Sequence, residues 1–450
     1  MLRTILGVKM SSINVQENLA ETKLTQTNIS DNTVKPTRRI EFDYLRTFVT
    51  IGVVFHHAIL AYHSSSDILF IFGFSPVADS TQWIGWDFFV SFNDYWHMPL
   101  MFLISGLFVW KSLERKGAGK YILGRLKRLG IVFIIGVLLL IPLALYARMM
   151  EGQIFLGWPY TTLPQFWLEM AKIGFGTAGP LWFLWVLLVF DGITTIIYLI
   201  YRASKNKKKL KEAELNLGTE ELNKLEFIEE NRIEPIEKNY SNTPKKYFEN
   251  PIMMFGIVVA IFCVGYFQVA FSVDTSLWIG IGPFGVQISR LGFYLTVFML
   301  GVFLGNKGLD NTVFKKDSQL AKYWWAFLLV GLIAFGITIP VDLFLIKLEI
   351  LHYYLKLLLF PFVSACLVYG VIGVFLRFFT KQNAIFNSLK NNAYGIYIFH
   401  YIFVLWLQFG FLYVPILGIF KGIIVTICSV LLSWGFTAVF RLIPGVKQII

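Results

Sequence analysis

Apolar runs of about 20 residues alternate with short polar stretches along most of the chain, beginning near Tyr44 and ending near Phe440. That length carries an α-helix across a hydrocarbon core of roughly 30 Å. Ten such windows fall near 44 to 64, 90 to 110, 129 to 148, 181 to 201, 252 to 272, 286 to 305, 323 to 341, 353 to 376, 393 to 412 and 416 to 440. The tightest connection is expected around Val414 and Pro415, between the last two. The pattern predicts an all-α integral membrane protein, a bundle of about ten transmembrane helices filling residues 44–441. A polar N-terminal tail (1–43), a charged loop between the fourth and fifth runs (202–250) and a short C-terminal tail (442–450) are left outside it. The loop mixes both charge signs, and one surface helix before Pro235 is the most structure expected of it. Residues 1–43 contain no apolar stretch followed by a cleavage site, so the first run is expected to be its own signal anchor.

Charge gives the bundle a direction. Lys and Arg are retained on the cytoplasmic side in short loops. Lys111, Arg115, Lys116, Lys120, Arg125, Lys127 and Arg128 cluster after the second run, whereas 65–89 and 272–287 carry no Lys or Arg. Ten crossings with both termini cytoplasmic satisfy every loop, and a plasma-membrane location is expected. The net charge of +12 then reads mainly as topology, with attraction to membrane lipids as an extra and no implication of nucleic acid. Hydrophobic residues make up 56% of the chain, above the roughly 45–50% of a soluble domain. Cys263, Cys366 and Cys428 fall inside apolar runs at no metal-ligand spacing, so they read as packing residues and no metal is expected.

Ionisable groups inside such runs are costly, about 2.5–3.5 kcal/mol each on insertion scales, and each is a site candidate. The first run reads RTFVTIGVVFHH from Arg46 to His57. At 1.5 Å per residue these two side chains are about 16 Å apart along a helix, a cation near one rim and an imidazole past mid-membrane. The second run, FNDYWHMPLMFLISGLFVW, places His97 at a similar depth. Pro99 is expected to kink it, and Ser105 and Gly106 allow close backbone approach. Arg125 and Arg128 open the third run three residues apart, and Arg suits phosphate because its planar fork donates two parallel hydrogen bonds. Asp191, halfway along the fourth run, needs a partner. Plainer readings stand beside these. A membrane histidine bonded to a neighbouring helix accounts equally well for His56, His97 or His400 alone, packing accounts for Ser105 and Gly106, and a stop-transfer anchor accounts for Arg125 and Arg128.

Taken together, the arginine and histidine separated by ten residues, MPLMFLISGLF, RLKRL, PLWFLWVLLVF and AYGIYIFHYIFV, in that order, resemble the membrane acyltransferase 3 family over residues 40 to 440. Within it the chain looks most like the branch of glucan-modifying succinyltransferases and O-acetyltransferases. The resemblance implies that His57 and Arg46 are the essential pair, that acyl-CoA (acetyl-CoA or succinyl-CoA) is the donor, and that a hydroxyl of a glycan, exopolysaccharide or lipid is the acceptor. Histidine, with an unperturbed pKa of about 6.5, fits removal of the hydroxyl proton. Arg46, Arg125 and Arg128 are expected to dock the CoA phosphates, with the pantetheine arm running past Ser105 and Gly106. His97, His56, Asp94, Trp182 and His400 are candidates for orienting or contacting substrate. His56 is a departure: neighbouring helix residues point about 100° apart, so the spacing favours His57 as the cavity-facing base. The sequence also shows no hydrolase-like extracytoplasmic segment of the kind some members carry, so a single bundle is expected to do both halves of the reaction. The competing reading is a transporter or exporter of an anionic or glycan substrate, although no inverted repeat is visible. Nothing in the sequence sets an oligomeric state.

Overall fold

The computed structural model describes residues 39–66, 77–216, 248–270, 278–344 and 348–450. The chain divides into two units, Met1–Ile40 and Glu41–Ile450, and the second holds the helical bundle. Its described residues are mostly helical, because a backbone out of reach of water must satisfy its hydrogen bonds within its own segment. The helices are α1 (Ile40–Ile59), α2 (Ile84–Gly106), α3 (Val109–Lys116), α4 (Ala118–Phe155), α5 (Leu163–Lys172), α6 (Trp182–Asn216), α7 (Pro251–Ala270), α8 (Ile288–Lys307), α9 (Trp324–Phe344), α10 (Glu349–Phe378), α11 (Ala384–Phe411) and α12 (Gly418–Phe440). Among the described residues eight helices are long and apolar enough to cross a membrane: α1 with its 3-10 extension to Tyr62, α4, α6, α8, α9, α10, α11 and α12. The chain is a multi-pass membrane protein. The two remaining apolar runs of the sequence are helical as well, as α2 and α7. α2 is diluted by Asn93, Asp94 and His97, and it continues through Pro99 to Gly106.

The structure departs from the hydropathy pattern in several places. α4 begins at Ala118, well before residue 129, and is interrupted by two π-helical stretches, Leu126–Gly130 and Gly136–Leu140. Such widened turns recur at functional sites, and the first of them carries Arg128. α6 continues to Asn216, past the end of its apolar run, while the charged segment expected to form a surface helix before Pro235 falls largely outside the described residues. Between α7 and α8 a two-stranded antiparallel hairpin pairs β1 (Trp278–Ile279) with β2 (Val286–Gln287), with Trp278 opposite Gln287.

Packing follows small residues. α2 and α8 approach so closely that a Cβ on Gly301 would lie 2.3 Å from the Leu103 carbonyl oxygen, and one on Gly305 would lie 1.9 Å from that of Leu107. This Gly-x-x-x-Gly stripe meets Gly106, whose Cβ would be 2.2 Å from the Phe298 oxygen. A second fastening is electrostatic. Lys421 of α12, wholly buried, gives Nζ to Asp79 Oδ2 at 2.7 Å, and Asp79 Oδ1 accepts from the Thr81 amide at 2.8 Å and hydroxyl at 2.6 Å. Each buried charge is thereby compensated, which ties the segment before α2 to the last helix.

Candidate active site

One face of α1 organises the site. Asp43, Arg46 and Thr50 line one cavity of about 550 Å³, and Val53, His56, His57 and Leu60 line a second of about 550 Å³. Steps of three and four residues keep all of them on a single stripe of the helix, so the eleven-residue interval from Arg46 to His57 amounts to three turns. α2 runs alongside with the same spacing. Asn93, Asp94, His97 and Met98 face the second cavity and Met101 and Ser105 the first, which Phe108 in the link to α3 and Ser112 on α3 also line. α6 passes between the cavities at Trp182 and Phe183, and α11 at Tyr397 and Tyr401.

The first cavity is cationic. Arg46, Lys116, Arg125, Arg128, Lys390, Arg441 and Lys447 line it, against one acidic side chain among the described residues, Asp43. Arg46 lies over the Phe108 ring at 5.5 Å. The partner expected for Asp191 is Arg125: Nε stands 2.9 Å from Asp191 Oδ2, and the Tyr121 hydroxyl donates to Oδ1 at 2.5 Å. Arg125 Nε also donates to the Tyr121 oxygen at 3.0 Å. Asp191 is fully buried, so it holds one edge of the Arg125 guanidinium from behind while the residue still lines the cavity. Arg128 lies over the Tyr394 ring at 5.8 Å, and the Tyr394 hydroxyl donates to the Arg128 carbonyl oxygen. Arg441 is set by hydrogen bonds to the Asn391 carbonyl and the Asn392 side chain.

The second cavity is the histidine cavity. One of its walls consists of two glycine-rich turns, 174–179 and 280–285, where the backbone of Gly282 (φ 54°) approaches the Gly174 carbonyl and a Cβ would meet that oxygen at 2.7 Å. Trp182 stacks on Tyr294, which stacks on Phe102, giving this wall an aromatic face. His57 Nδ1 lies 2.8 Å from the Val53 carbonyl oxygen, so Nδ1 carries the ring hydrogen and donates it, and the lone pair remains on Nε2. His97 has the opposite arrangement: Nε2 donates to the Val49 carbonyl at 2.6 Å, clamping α2 to α1. Gly52 makes that clamp possible, since a Cβ there would lie 2.9 Å from His97 Nε2. Gln408 of α11 donates through Nε2 to the carbonyls of His57 and Ala58, at 2.9 and 3.0 Å, which fixes the end of α1. A fixed imidazole with an available lone pair on a cavity wall is what removal of a hydroxyl proton requires. A cationic pocket on the same helix is what an anionic donor requires.

The family described as an acyltransferase domain matches this chain over residues 39–438. The chain belongs to the membrane acyltransferase 3 family. No significant match was found among curated proteins or among solved structures. The matched span takes in both cavities except for Arg441, Lys447 and Ile450.

In this acyltransferase the candidates from the sequence separate into two groups. Arg46, Arg125, Arg128 and Ser105 come together around the cationic cavity, and His57, His56, His97, Asp94 and Trp182 around the histidine cavity. Gly106 lines neither and sits in the α2–α8 contact. Ser105 directs its hydroxyl to the Met101 carbonyl at 2.8 Å. Spacing alone turns His56 away from the cavity, yet it lines the same one as His57, because both lie three or four residues after Val53 on a stripe more than 100° wide. His400 is wholly buried, with its ring centroid 5.3 Å from that of His57. Sequence reasoning missed Tyr401, Asn93 and Gln287 in the histidine cavity and treated Lys390, Arg441 and Lys447 only as markers of sidedness. Tyr401 follows His400 directly in the AYGIYIFHYIFV motif, which was the available signal.

Proposed function

We propose that this acyltransferase takes an acetyl or succinyl group from acyl-CoA held in the cationic cavity and transfers it to a hydroxyl of a glycan or lipid that enters the histidine cavity. The observation that carries this reading is the single stripe of α1 that lines both cavities, with Arg46 in one and His57 in the other. Arg46, Arg125 and Arg128 hold the CoA phosphates. The thioester reaches past Thr50 and Met101 toward His57. His57 Nε2 takes the hydroxyl proton as the oxygen attacks the thioester carbonyl carbon. The new C–O bond forms, the C–S bond breaks, and the departing thiolate recovers the proton. The basic residues around the donor cavity support its opening on the cytoplasmic side of a plasma membrane, with the acceptor on the extracytoplasmic side and ten crossings in all.

The test uses the full chain in nanodiscs with acetyl-CoA or succinyl-CoA and a panel of glycan and lipid acceptors. Free CoA thiol is measured, and the acceptor is analysed by mass spectrometry. Acceptor-dependent thiol release with a matching mass gain is the expected result. Movement of an unmodified glycan across vesicles without thiol release would replace this reading with that of an exporter.

A further inference from the structure

His400 has a nitrogen with nothing to bond to. Its Nδ1 lies 2.7 Å from the Tyr397 carbonyl oxygen, so Nδ1 carries the hydrogen and Nε2 holds a lone pair. That Nε2 is buried and has no hydrogen-bond partner among the described residues, and the residue as a whole is 0% exposed. A buried polar atom without a partner is uncommon in a native structure and calls for a reason. The nearest imidazole is His57, at 5.3 Å between ring centroids and 59° between ring planes, and no hydrogen bond joins the two rings in this structure. Neutral His57 cannot satisfy His400, because its own hydrogen is committed to the Val53 carbonyl and its Nε2 is also a lone pair. Two lone pairs do not bond.

The situation reverses when His57 takes up a proton. Its Nε2–H then points toward the substrate oxygen that released the proton, and His400 Nε2, the buried acceptor nearby, takes the second branch of a three-centre hydrogen bond from it. We propose that His400 is a positioning residue for acyl transfer that accepts a hydrogen bond from the protonated ring of His57. The inference rests on the reading of His57 as the base. The proton leaves the acceptor hydroxyl for His57 Nε2, the oxygen electron pair forms the C–O bond, and the C–S pair departs on sulfur, which takes the proton back. His400 gains and loses no atom. Its bond exists only while His57 is charged, so it stabilises the transition state and leaves the ground state alone. Its location agrees with this task. On α11 it lies between Tyr397, which lines the donor cavity, and Tyr401, which lines the acceptor cavity, on the helix whose Gln408 holds the end of α1.

The other titratable or charged groups around the pair, among the described residues, are His56 on α1, Asp94 and His97 on α2, Tyr397 and Tyr401 on α11, and Arg148 on α4 near Tyr401. The test is 15N NMR of the histidine-labelled full chain in nanodiscs, with its six histidines assigned by single substitutions. At neutral pH His57 and His400 should both show the Nδ1–H tautomer. As the pH is lowered, the first proton should move the Nε2 resonances of both rings in one step, and in His400→Phe the His57 ring should take up its proton only at lower pH. In turnover, His400→Phe should lower kcat by about 10–100-fold and leave KM for acyl-CoA within about twofold, and His400→Gln, which keeps an acceptor oxygen, should recover part of the loss. If His400→Phe does not fold, His400→Gln gives both readouts. Independent titration of the two rings, or a His57 signal indifferent to substitution of His400, overturns the proposal. Absence of thiol release by the unaltered protein would instead sink the acyl-transfer reading, with the NMR result on the pair still standing.

Discussion

Asp191→Asn tests whether the donor site is held from behind. Asp191 Oδ1 accepts the Tyr121 hydroxyl at 2.5 Å, and Oδ2 faces Arg125 Nε at 2.9 Å. The Asp191 side chain is 0% exposed and that of Arg125 is 27% exposed, so the carboxylate has no alternative partner in water, whereas the guanidinium has access to the cavity. Breaking a wholly buried pair costs about 3–5 kcal/mol, but that figure is too high here because Arg125 can be partly resolvated. Asparagine keeps the shape and an acceptor oxygen while removing the charge. The loss is that of charge assistance in one contact, about 1.5–3 kcal/mol. If half or more of it appears as misplacement of Arg125, KM for acyl-CoA rises by about tenfold, with kcat within about threefold. The assay is thiol release against acyl-CoA concentration for Asp191→Asn, Arg125→Ala and the double variant. Since Asp191 acts through Arg125, the double variant should be no worse than Arg125→Ala alone, a non-additive cycle. Fully additive losses, or a normal KM in a folded Asp191→Asn protein, would refute the argument and return Arg125 to a stop-transfer role.

His57→Ala should lower kcat by about 10²–10⁴-fold with acyl-CoA binding little changed, and His56→Ala should cost much less; the reverse order in the same steady-state assay would move the base by one residue. The unaltered enzyme should also slow as the pH is lowered, because a protonated imidazole accepts no proton, and a rate that rises on acidification would exclude a histidine base. Gly305→Ala places a Cβ 1.9 Å from the Leu107 carbonyl oxygen, so α2 and α8 must separate, and the thermal midpoint in detergent should fall by an amount corresponding to about 1–3 kcal/mol, whereas a midpoint equal to wild type would deny the close contact. With Cys263, Cys366 and Cys428 first replaced, a single cysteine at Tyr160 should react with an impermeant label from outside and one at Lys315 only after permeabilisation. Labelling of position 315 in intact cells would reverse the orientation and with it the cytosolic donor.

What the sequence could reveal is set by helical periodicity, which relates residues only along one helix. Arg46 and His57 are three turns apart, and their shared face follows from that spacing alone. The same arithmetic, applied too narrowly, excludes His56, which the breadth of the stripe readmits. Contacts between helices were not legible. Lys421 and Asp79 are 342 positions apart, and Tyr121 and Asp191 are 70 apart. No spacing rule links such pairs, since their closeness depends on helix rotation and on where Gly301 and Gly305 let α8 settle against α2. The cationic cavity illustrates a different limit. Lys and Arg near helix ends mark the cytoplasmic face whatever else they do, so their number cannot separate an address from a binding site. Position does. Lys390 and Arg441 line the cationic cavity, whereas Lys307 lies over the rings of Phe248 and Phe303 and Lys322 over that of Tyr323, and neither is among the lining residues. Residues of one sequence class thus divide into those that lie away from the cationic cavity and those that line it, and the division follows from which helix ends border α1 at Arg46.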